Sequence, residues 1–228
     1  KQLPAEIVED DRRPHEDIHA YLPGIPAPSP FRDPSEFAFI KEIEQNIDEI
    51  RSEFEALVDA NVTTAQFRSV TSMNYKNGWK TLPLYYNGNT IPGFPYHLCP
   101  VTAGILEKVP VAGRIAGFNR QQPGSGIPMH TDGNNMWLTC QVGVSVPDGK
   151  AWIEVGGQRH VYANGQPVLY DTTFPHETFN EAETADRVVL HVDFWNYKAL
   201  TDVELRALQK VYGYRQKYLE AEGIPQSL

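Results

Sequence analysis

Trp137-Leu138-Thr139-Cys140-Gln141-Val142-Gly143-Val144-Ser145-Val146 is an apolar-rich run stopped by the turn signal Pro147-Asp148-Gly149. Three short runs follow it, Ala151–Val155, Gln158–Tyr162 and Pro167–Tyr170, separated by Gly156-Gly157 and Asn164-Gly165. Runs of four to ten residues rich in Val, Ile, Leu and aromatic side chains, with Gly, Pro, Asn and Asp between them, are strands joined by turns. The same reading extends upstream to Arg114–Gln121 and downstream to Arg187–Phe194. Many short strands at regular spacing predict a sandwich or barrel.

Outside this block the pattern changes. Phe67-Arg68-Ser69-Val70 and Leu82-Pro83-Leu84-Tyr85-Tyr86 read as strands, with Asn87-Gly88 as a turn, and Cys99-Pro100 to Lys108 reads as a short helix. Further upstream, Phe37, Ile40, Ile43, Ile47, Ile50, Phe54 and Leu57 recur every three or four residues and form one apolar stripe, the signature of a helix packed on a sheet. Asp33 is its expected cap, Pro34 its first residue, and Glu36 closes a capping box. A second box, Thr201 with Glu204, opens a C-terminal helix over about 201–222, which Gly213 weakens in its middle. Residues 1–34, polar and rich in proline, read as an extended arm; 35–228 read as a single domain with its β core at about 67–197.

The chain has 228 residues, enough for one full core, and 41% hydrophobic residues, ordinary for a globular protein. A net charge of −9 disfavours nucleic acid and anionic membranes as partners. No apolar run reaches the length of a membrane span. Two cysteines, Cys99 and Cys140, are too few for a disulfide framework. Cys140 lies in an apolar strand and reads as a buried thiol. A reducing compartment such as the cytoplasm is the expectation.

The chemistry begins at Pro128-Met129-His130-Thr131-Asp132 and resumes at Pro175-His176. Residues i and i+2 of an extended chain point to the same side. His130 and Asp132 at a strand end, joined by His176 from the turn after Val168-Leu169-Tyr170-Asp171, supply the two imidazoles and one carboxylate of a facial metal site. Iron(II) suits the set. Zinc tolerates it too, which makes a zinc hydrolase the chemical competitor, although no general base stands at a zincin spacing. The bland alternative is a pair of ordinary loop histidines.

Further pieces occur in order: Pro123-Gly124, His130-Thr131, His176-Glu177, Arg187, and the strand ending Val192-Asp193-Phe194-Trp195. Over about residues 80–197 the chain thereby resembles the aspartyl/asparaginyl β-hydroxylase family of iron(II)/2-oxoglutarate dioxygenases. The resemblance implies a mainly β fold, a double-stranded β-helix (jelly roll, cupin-like) with flanking N- and C-terminal helices. It implies iron(II), 2-oxoglutarate and dioxygen, with ascorbate as reductant. His130 and His176 become iron ligands, and Arg187 binds the distal carboxylate of 2-oxoglutarate with help from Asn119. A guanidinium fits that task because its planar fork stays charged when buried.

Two departures bear on the substrate. Animal protein hydroxylases of the family have Gly where this chain has Asp132, whereas hydroxylases of free amino acids and lipids keep the Asp. The animal enzymes also carry an Arg-x-His that contacts the cosubstrate, and Thr139 and Gln141 stand at those positions. Gln141 still donates hydrogen bonds to the cosubstrate, but the charge is lost. The expected reaction is therefore hydroxylation of an unactivated C–H in a small, polar, carboxylate-bearing metabolite such as an amino acid. Arg120 reads either as the substrate anchor or as a solvated surface charge, with Asn135 and Trp137 near the cavity mouth. Arg114 and Arg159 have no placement from pattern alone, and His191, on an apolar strand, reads as a core histidine. A peptide or protein hydroxylase and a non-catalytic cupin-like binding module are the alternatives.

Overall fold

The structure is a computed structural model that describes residues 22–27, 29–62 and 78–222. Most of the expected N-terminal arm, the expected strand at 67–70 and the loop residues Tyr75 and Lys76 lie outside the described residues.

The protein is mainly β, a double-stranded β-helix built from two antiparallel sheets. In chain order the strands are β1 (Phe31–Arg32), β2 (Trp79–Tyr86), β3 (Asn89–Thr90), β4 (Val111–Gln121), β5 (Ser125–His130), β6 (Trp137–Ser145), β7 (Ala151–Val155), β8 (Gln158–Val161), β9 (Pro167–Tyr170), β10 (His176–Asn180) and β11 (Arg187–Trp195). A seven-stranded sheet runs β1-β9-β6-β11-β4-β2-β3, and a four-stranded sheet runs β5-β10-β7-β8. Turn chemistry accounts for two hairpins. Asn87 (φ 50°) with Gly88 (φ 74°), and Gly156 (φ 55°) with Gly157 (φ 76°), supply the two consecutive positive φ values that a two-residue hairpin needs.

The large sheet is buried on both faces, and period-two alternation assigns a different chemistry to each. Leu138, Cys140, Val142 and Val144 of β6, Ala116 and Phe118 of β4, and Val188, Leu190, Val192 and Phe194 of β11 join one apolar core. Helices α1 (Ala38–Gln45), α2 (Ile47–Asp59) and α3 (Pro100–Glu107) cover that face, with Ile40, Ile43, Ile50, Leu57, Ile105 and Leu106 packed into the same core. The intervening residues look toward the small sheet. Beside apolar positions such as Val189, they include Asn119, Gln121, Thr139, Gln141, Arg187, His191 and Asp193, all buried. An apolar helix-side core thus frees the opposite face of the same strands for polar groups.

Helix α4 (Asp202–Ala221) is the last element among the described residues. Its expected capping box forms, with the Thr201 N–H donating to Glu204 Oε2 (2.8 Å) and the Glu204 N–H to Thr201 Oγ1 (3.3 Å). Leu205, Leu208 and Tyr212 pack it beside Trp137 and Trp195. No helix among the described residues is long and apolar enough to cross a membrane.

Three expectations need correction. The stripe from Phe37 to Leu57 is two helices, because Asn46 leaves helical geometry (φ −111°, ψ 16°) and its side chain donates to Glu42 O at 2.8 Å. That bond competes with the backbone ladder. Asp33 does cap, accepting from the Ser35 N–H at 2.9 Å, but it opens a short 3-10 turn, and Glu36 pairs with Arg32 (2.7 Å) instead of closing a box. Lastly, His176 begins strand β10 rather than lying in a turn. Both cysteines are free and buried. Burial first, then Glu53, pushes the Cys99 thiol up to about 12.

Candidate active site

Strands β5 and β10 pair antiparallel with His130 directly opposite His176, which brings the two imidazole rings to 4.1 Å between centroids. Each ring is oriented by its own chain. His130 Nδ1 lies 2.8 Å from Pro128 O, and His176 Nδ1 lies 2.9 Å from Phe174 O. A carbonyl only accepts, so each neutral ring carries its proton on Nδ1 and keeps a lone pair on Nε2. Asp132 follows β5 in a loop pinned by its own N–H, which donates to Thr172 O at 2.9 Å. One ligand atom from each of His130, Asp132 and His176 lies within 4.8 Å of the others.

The electrostatics favour a cation here. Burial first, then His130, holds His176 down to about 4, so it is neutral at pH 7. Burial opposes the charge on Asp132, but the Arg114 guanidinium beside it outweighs that and holds the carboxyl well below the usual range. A neutral His176 and an ionised Asp132 are protonation states that a divalent metal requires.

A buried polar network leads away from Asp132. Arg114 Nη1 meets Asp132 Oδ2 at 2.7 Å, and Arg114 Nε meets Asp193 Oδ2 at 3.4 Å. Asp193 Oδ1 accepts from Thr139 Oγ1 (2.6 Å) and pairs with His191 Nε2 (3.0 Å). Gln141 Nε2 lies 3.0 Å from His191 Nδ1 and 3.2 Å from the Tyr170 hydroxyl, and the Tyr162 hydroxyl donates to Gln141 Oε1. With the Gln141 amide nitrogen as donor, His191 accepts at Nδ1 and donates from Nε2, so Asp193 receives its proton-bearing nitrogen. Asp193 is buried, yet His191 and Arg114 keep its carboxyl low.

At the far end lies Arg187, fully buried, its guanidinium over the Tyr162 ring at 4.9 Å. Register places Arg187 beside Gln121, Gln121 beside Trp79, and Val189 beside Asn119. Arg187 Nε, Nη1 and Nη2, Gln121 Nε2 and Asn119 Nδ2 are all buried with no hydrogen-bond partner among the described residues. Asn119 and Gln121 have spent only their oxygens, which accept from Thr81 Oγ1 (2.7 Å) and Thr178 Oγ1 (3.2 Å). A buried donor left unmade costs free energy. Several such donors around one cation, with no carboxylate among them and only the Tyr162 hydroxyl close by to interact with Arg187, make a receptor for an anion rich in oxygen.

The metal trio and Gln141 line the cavity together with Trp79, Arg114, Thr139, His191 and Asp193. The three residues expected to meet substrate do not. Arg120 follows Asn119 on β4, so it turns to the opposite face, where Nε lies 3.7 Å from Asp186. Asn135 is buried with its amide clasped on Leu22, accepting from the Leu22 N–H (3.0 Å) and donating to Leu22 O (2.8 Å). Trp137 packs on Trp195 and Tyr212, and its Nε1 approaches Asp132 Oδ2 at 3.5 Å. Pattern reading missed the parts played by Arg114, Gln121 and Asp193 and took His191 for an ordinary core residue. The signal for two of them was present: Arg187, His191 and Asp193 share one parity of an otherwise apolar strand. Arg114 offered none. An irregular stretch of β4, where Phe194 pairs with Val111 but Val192 pairs with Ala116, breaks its parity with the rest of the strand.

Comparison with known proteins gives a consistent result. The family model described as aspartyl/asparaginyl beta-hydroxylase matches residues 44–197. Aspartate beta-hydroxylase domain-containing protein 2 of Xenopus tropicalis is 30% identical over 201 residues, covering 84% of this chain and 53% of that protein. An ornithine lipid ester-linked acyl 2-hydroxylase of Rhizobium tropici is 28% identical over 171 residues, covering 72% and 60%. The chain thus spans about half the length of the curated relatives it matches. Among solved structures, a 2OG-Fe(II) oxygenase family oxidoreductase of Burkholderia pseudomallei is 15% identical and covers 61% of this chain and 76% of its own, with a TM-score of 0.37, too low to argue from.

Proposed function

The chain belongs to the aspartyl/asparaginyl β-hydroxylase family, and on that premise we propose that it is an iron(II)- and 2-oxoglutarate-dependent hydroxylase. His130, Asp132 and His176 hold the metal. Arg187, with Asn119 and Gln121 beside it, receives the cosubstrate, while Gln141 on the cavity wall is bonded to His191, Tyr170 and Tyr162. The observation that carries this reading is the set of unpartnered donors around Arg187 in the same sheet-to-sheet interior as the ligand trio. Charge counting supports it. Asp132 and Asp193 cancel Arg114 and Arg187, so a divalent cation and a dianion enter together without leaving net charge in a buried site. A zinc hydrolase or an inert cupin-like module gives no use to the second, anion-seeking cluster.

Bound there, iron(II) and 2-oxoglutarate supply the activation of dioxygen, with succinate, carbon dioxide and a hydroxylated C–H as products. The chain's own residues orient the imidazoles through Pro128 O and Phe174 O, keep Asp132 ionised and exclude water from Arg187.

The substrate we favour is a small polar metabolite, since Thr139, Gln141, Thr172, Thr178 and His191 contribute polar groups to the cavity wall. One observation favours a second reading. Trp79, Ile115 and Ile127 give the cavity an apolar side, which suits an acyl chain. Succinate formation from 2-oxoglutarate with added iron(II) and ascorbate, across free amino acids, acyl lipids and peptides, tests both. His176→Ala is expected to lose nearly all bound metal and all turnover; unchanged metal content in that variant would falsify the ligand assignment.

A further inference from the structure

We propose that the outer face of helix α4 is a docking surface for an anionic lipid bilayer, to which the protein binds peripherally. The helix is apolar on two sides. Leu205, Leu208 and Tyr212 pack inward beside Trp137 and Trp195. Val203, Ala207, Val211, Tyr214 and Tyr218 recur at steps of three and four and are exposed, the two tyrosines at 61% and 60%. At 3.6 residues per turn these five fall within an arc of about 80°, on the side away from the core. Four of the seven exposed large hydrophobic residues among those described lie in this one stripe. A contiguous apolar patch of this kind marks a contact surface, unlike apolar residues scattered singly.

The charges around the stripe select the partner. From Leu205 to Leu219 the helix carries Arg206, Lys210, Arg215 and Lys217 and no acidic residue. Asp202 and Glu204 stand before this segment, Glu220 and Glu222 after it. All four cations are exposed, and none is paired with a carboxylate among the described residues. Helical geometry sets Arg206, Lys210 and Lys217 along one flank of the stripe and Arg215 along the other. Apolar side chains and phenols between flanking cations suit a helix lying in a membrane interface. The valines reach the acyl boundary, the tyrosines sit at headgroup level, and the cations meet lipid phosphates. Nucleic acid uses the cations but not the valines. A second copy of the helix covers the valines but brings a purely basic segment against itself.

The net charge of −9 opposes such a partner for the molecule as a whole. At physiological salt, however, exposed charges farther apart than about 8 Å are largely screened, so the local charge of the helix decides. The helix is also fastened to the fold. Gln216 Oε1 accepts from Asn87 Nδ2 (3.2 Å) and from Asn89 Nδ2 (3.3 Å) on the β2–β3 hairpin. Strand β2 begins at Trp79, which lines the cavity, so the docking helix and the apolar side of the cavity are tied to one hairpin. Docking itself needs neither metal nor cosubstrate.

Co-sedimentation of the full chain with vesicles tests the proposal, using phosphatidylcholine alone and phosphatidylcholine mixed with phosphatidylglycerol, at low and at high salt. The chain is expected to bind the mixed vesicles only, and to leave them at high salt. Lys210→Gln combined with Lys217→Gln removes two cations, each worth about 5-fold near an anionic surface, so affinity should fall roughly 25-fold. Tyr214→Ser combined with Tyr218→Ser keeps the charge and should weaken binding roughly 10-fold through lost apolar burial. Both double variants change exposed positions, and circular dichroism reads whether each is folded. A parent chain that binds neither vesicle overturns the docking surface, as do two folded double variants that bind like the parent. A parent that is dimeric in vesicle-free ultracentrifugation, and monomeric with Tyr214→Ser and Tyr218→Ser, also overturns it, because a second copy then covers the stripe. Each of these outcomes leaves the metal-site reading untouched.

Discussion

A guanidinium buried without a carboxylate partner is unfavourable in the free protein, because the desolvation of its charge is only partly offset by neighbouring tyrosines. Arg187 is in that position, and burial pulls its pKa down from the ordinary value. A residue retained at such a cost should trade stability for ligand binding. Arg187→Met, similar in length and uncharged, is expected to stabilise the ligand-free protein by about 1–4 kcal/mol in urea unfolding. The same change should abolish any stabilisation by 2-oxoglutarate. If Arg187→Met instead weakens the free fold, the arginine is a structural group and the anion site must be sought elsewhere. At this scale the sequence singles out Arg187, since a charged residue at the mouth of an apolar strand has few uses, and the variant above tests the role proposed for it. Arg120 had two readings, substrate anchor or surface charge, and its place one position from Asn119 puts it on the opposite face of the strand, beside Asp186.

Elements that carry their own signal were legible, and elements defined by a partner were not. The Thr201/Glu204 box and the Asn87-Gly88 and Gly156-Gly157 turns are local chemistry, and each stands where expected. Strands β5 and β10 have no such mark. Ser125-Gly126-Ile127-Pro128 lacks alternation, and Pro128 is tolerated because β5 is an edge strand. Pairing between the two strands is nevertheless what sets His130 against His176. Gly126 allows that pairing, since a Cβ there would lie 2.4 Å from Thr178 O and 2.5 Å from the Phe179 ring. Gly126→Ala should therefore push β5 off β10, costing roughly 1–3 kcal/mol of stability and weakening metal binding in step. Metal affinity that survives a measured loss of stability would show that the two histidines do not depend on this register.

On the scale of the whole molecule, the two-faced sheet lets an apolar core support a polar interior, and the polar interior makes the fold sensitive to acid. In the metal-free protein His176 is held down to about 4 by burial and by His130, against an ordinary 6.5. Its folded pKa lies below its unfolded one, so between these values the unfolded chain takes up a proton that the native site refuses. Stability must then fall as pH drops from about 6.5 to about 4, by roughly 3 kcal/mol when complete. Asp132 and Asp193 act lower. Their folded pKa values lie below the ordinary 3.8, so their contribution is present above that pH and is lost as pH falls through the folded values. Urea unfolding of metal-free protein at pH 7.5 and 4.5 should show the first stage, and His176→Gln should flatten most of it while leaving the second. Equal stability of the parent chain at the two pH values would mean that His176 is not held neutral by its surroundings, and the preformed metal geometry would lose its electrostatic support.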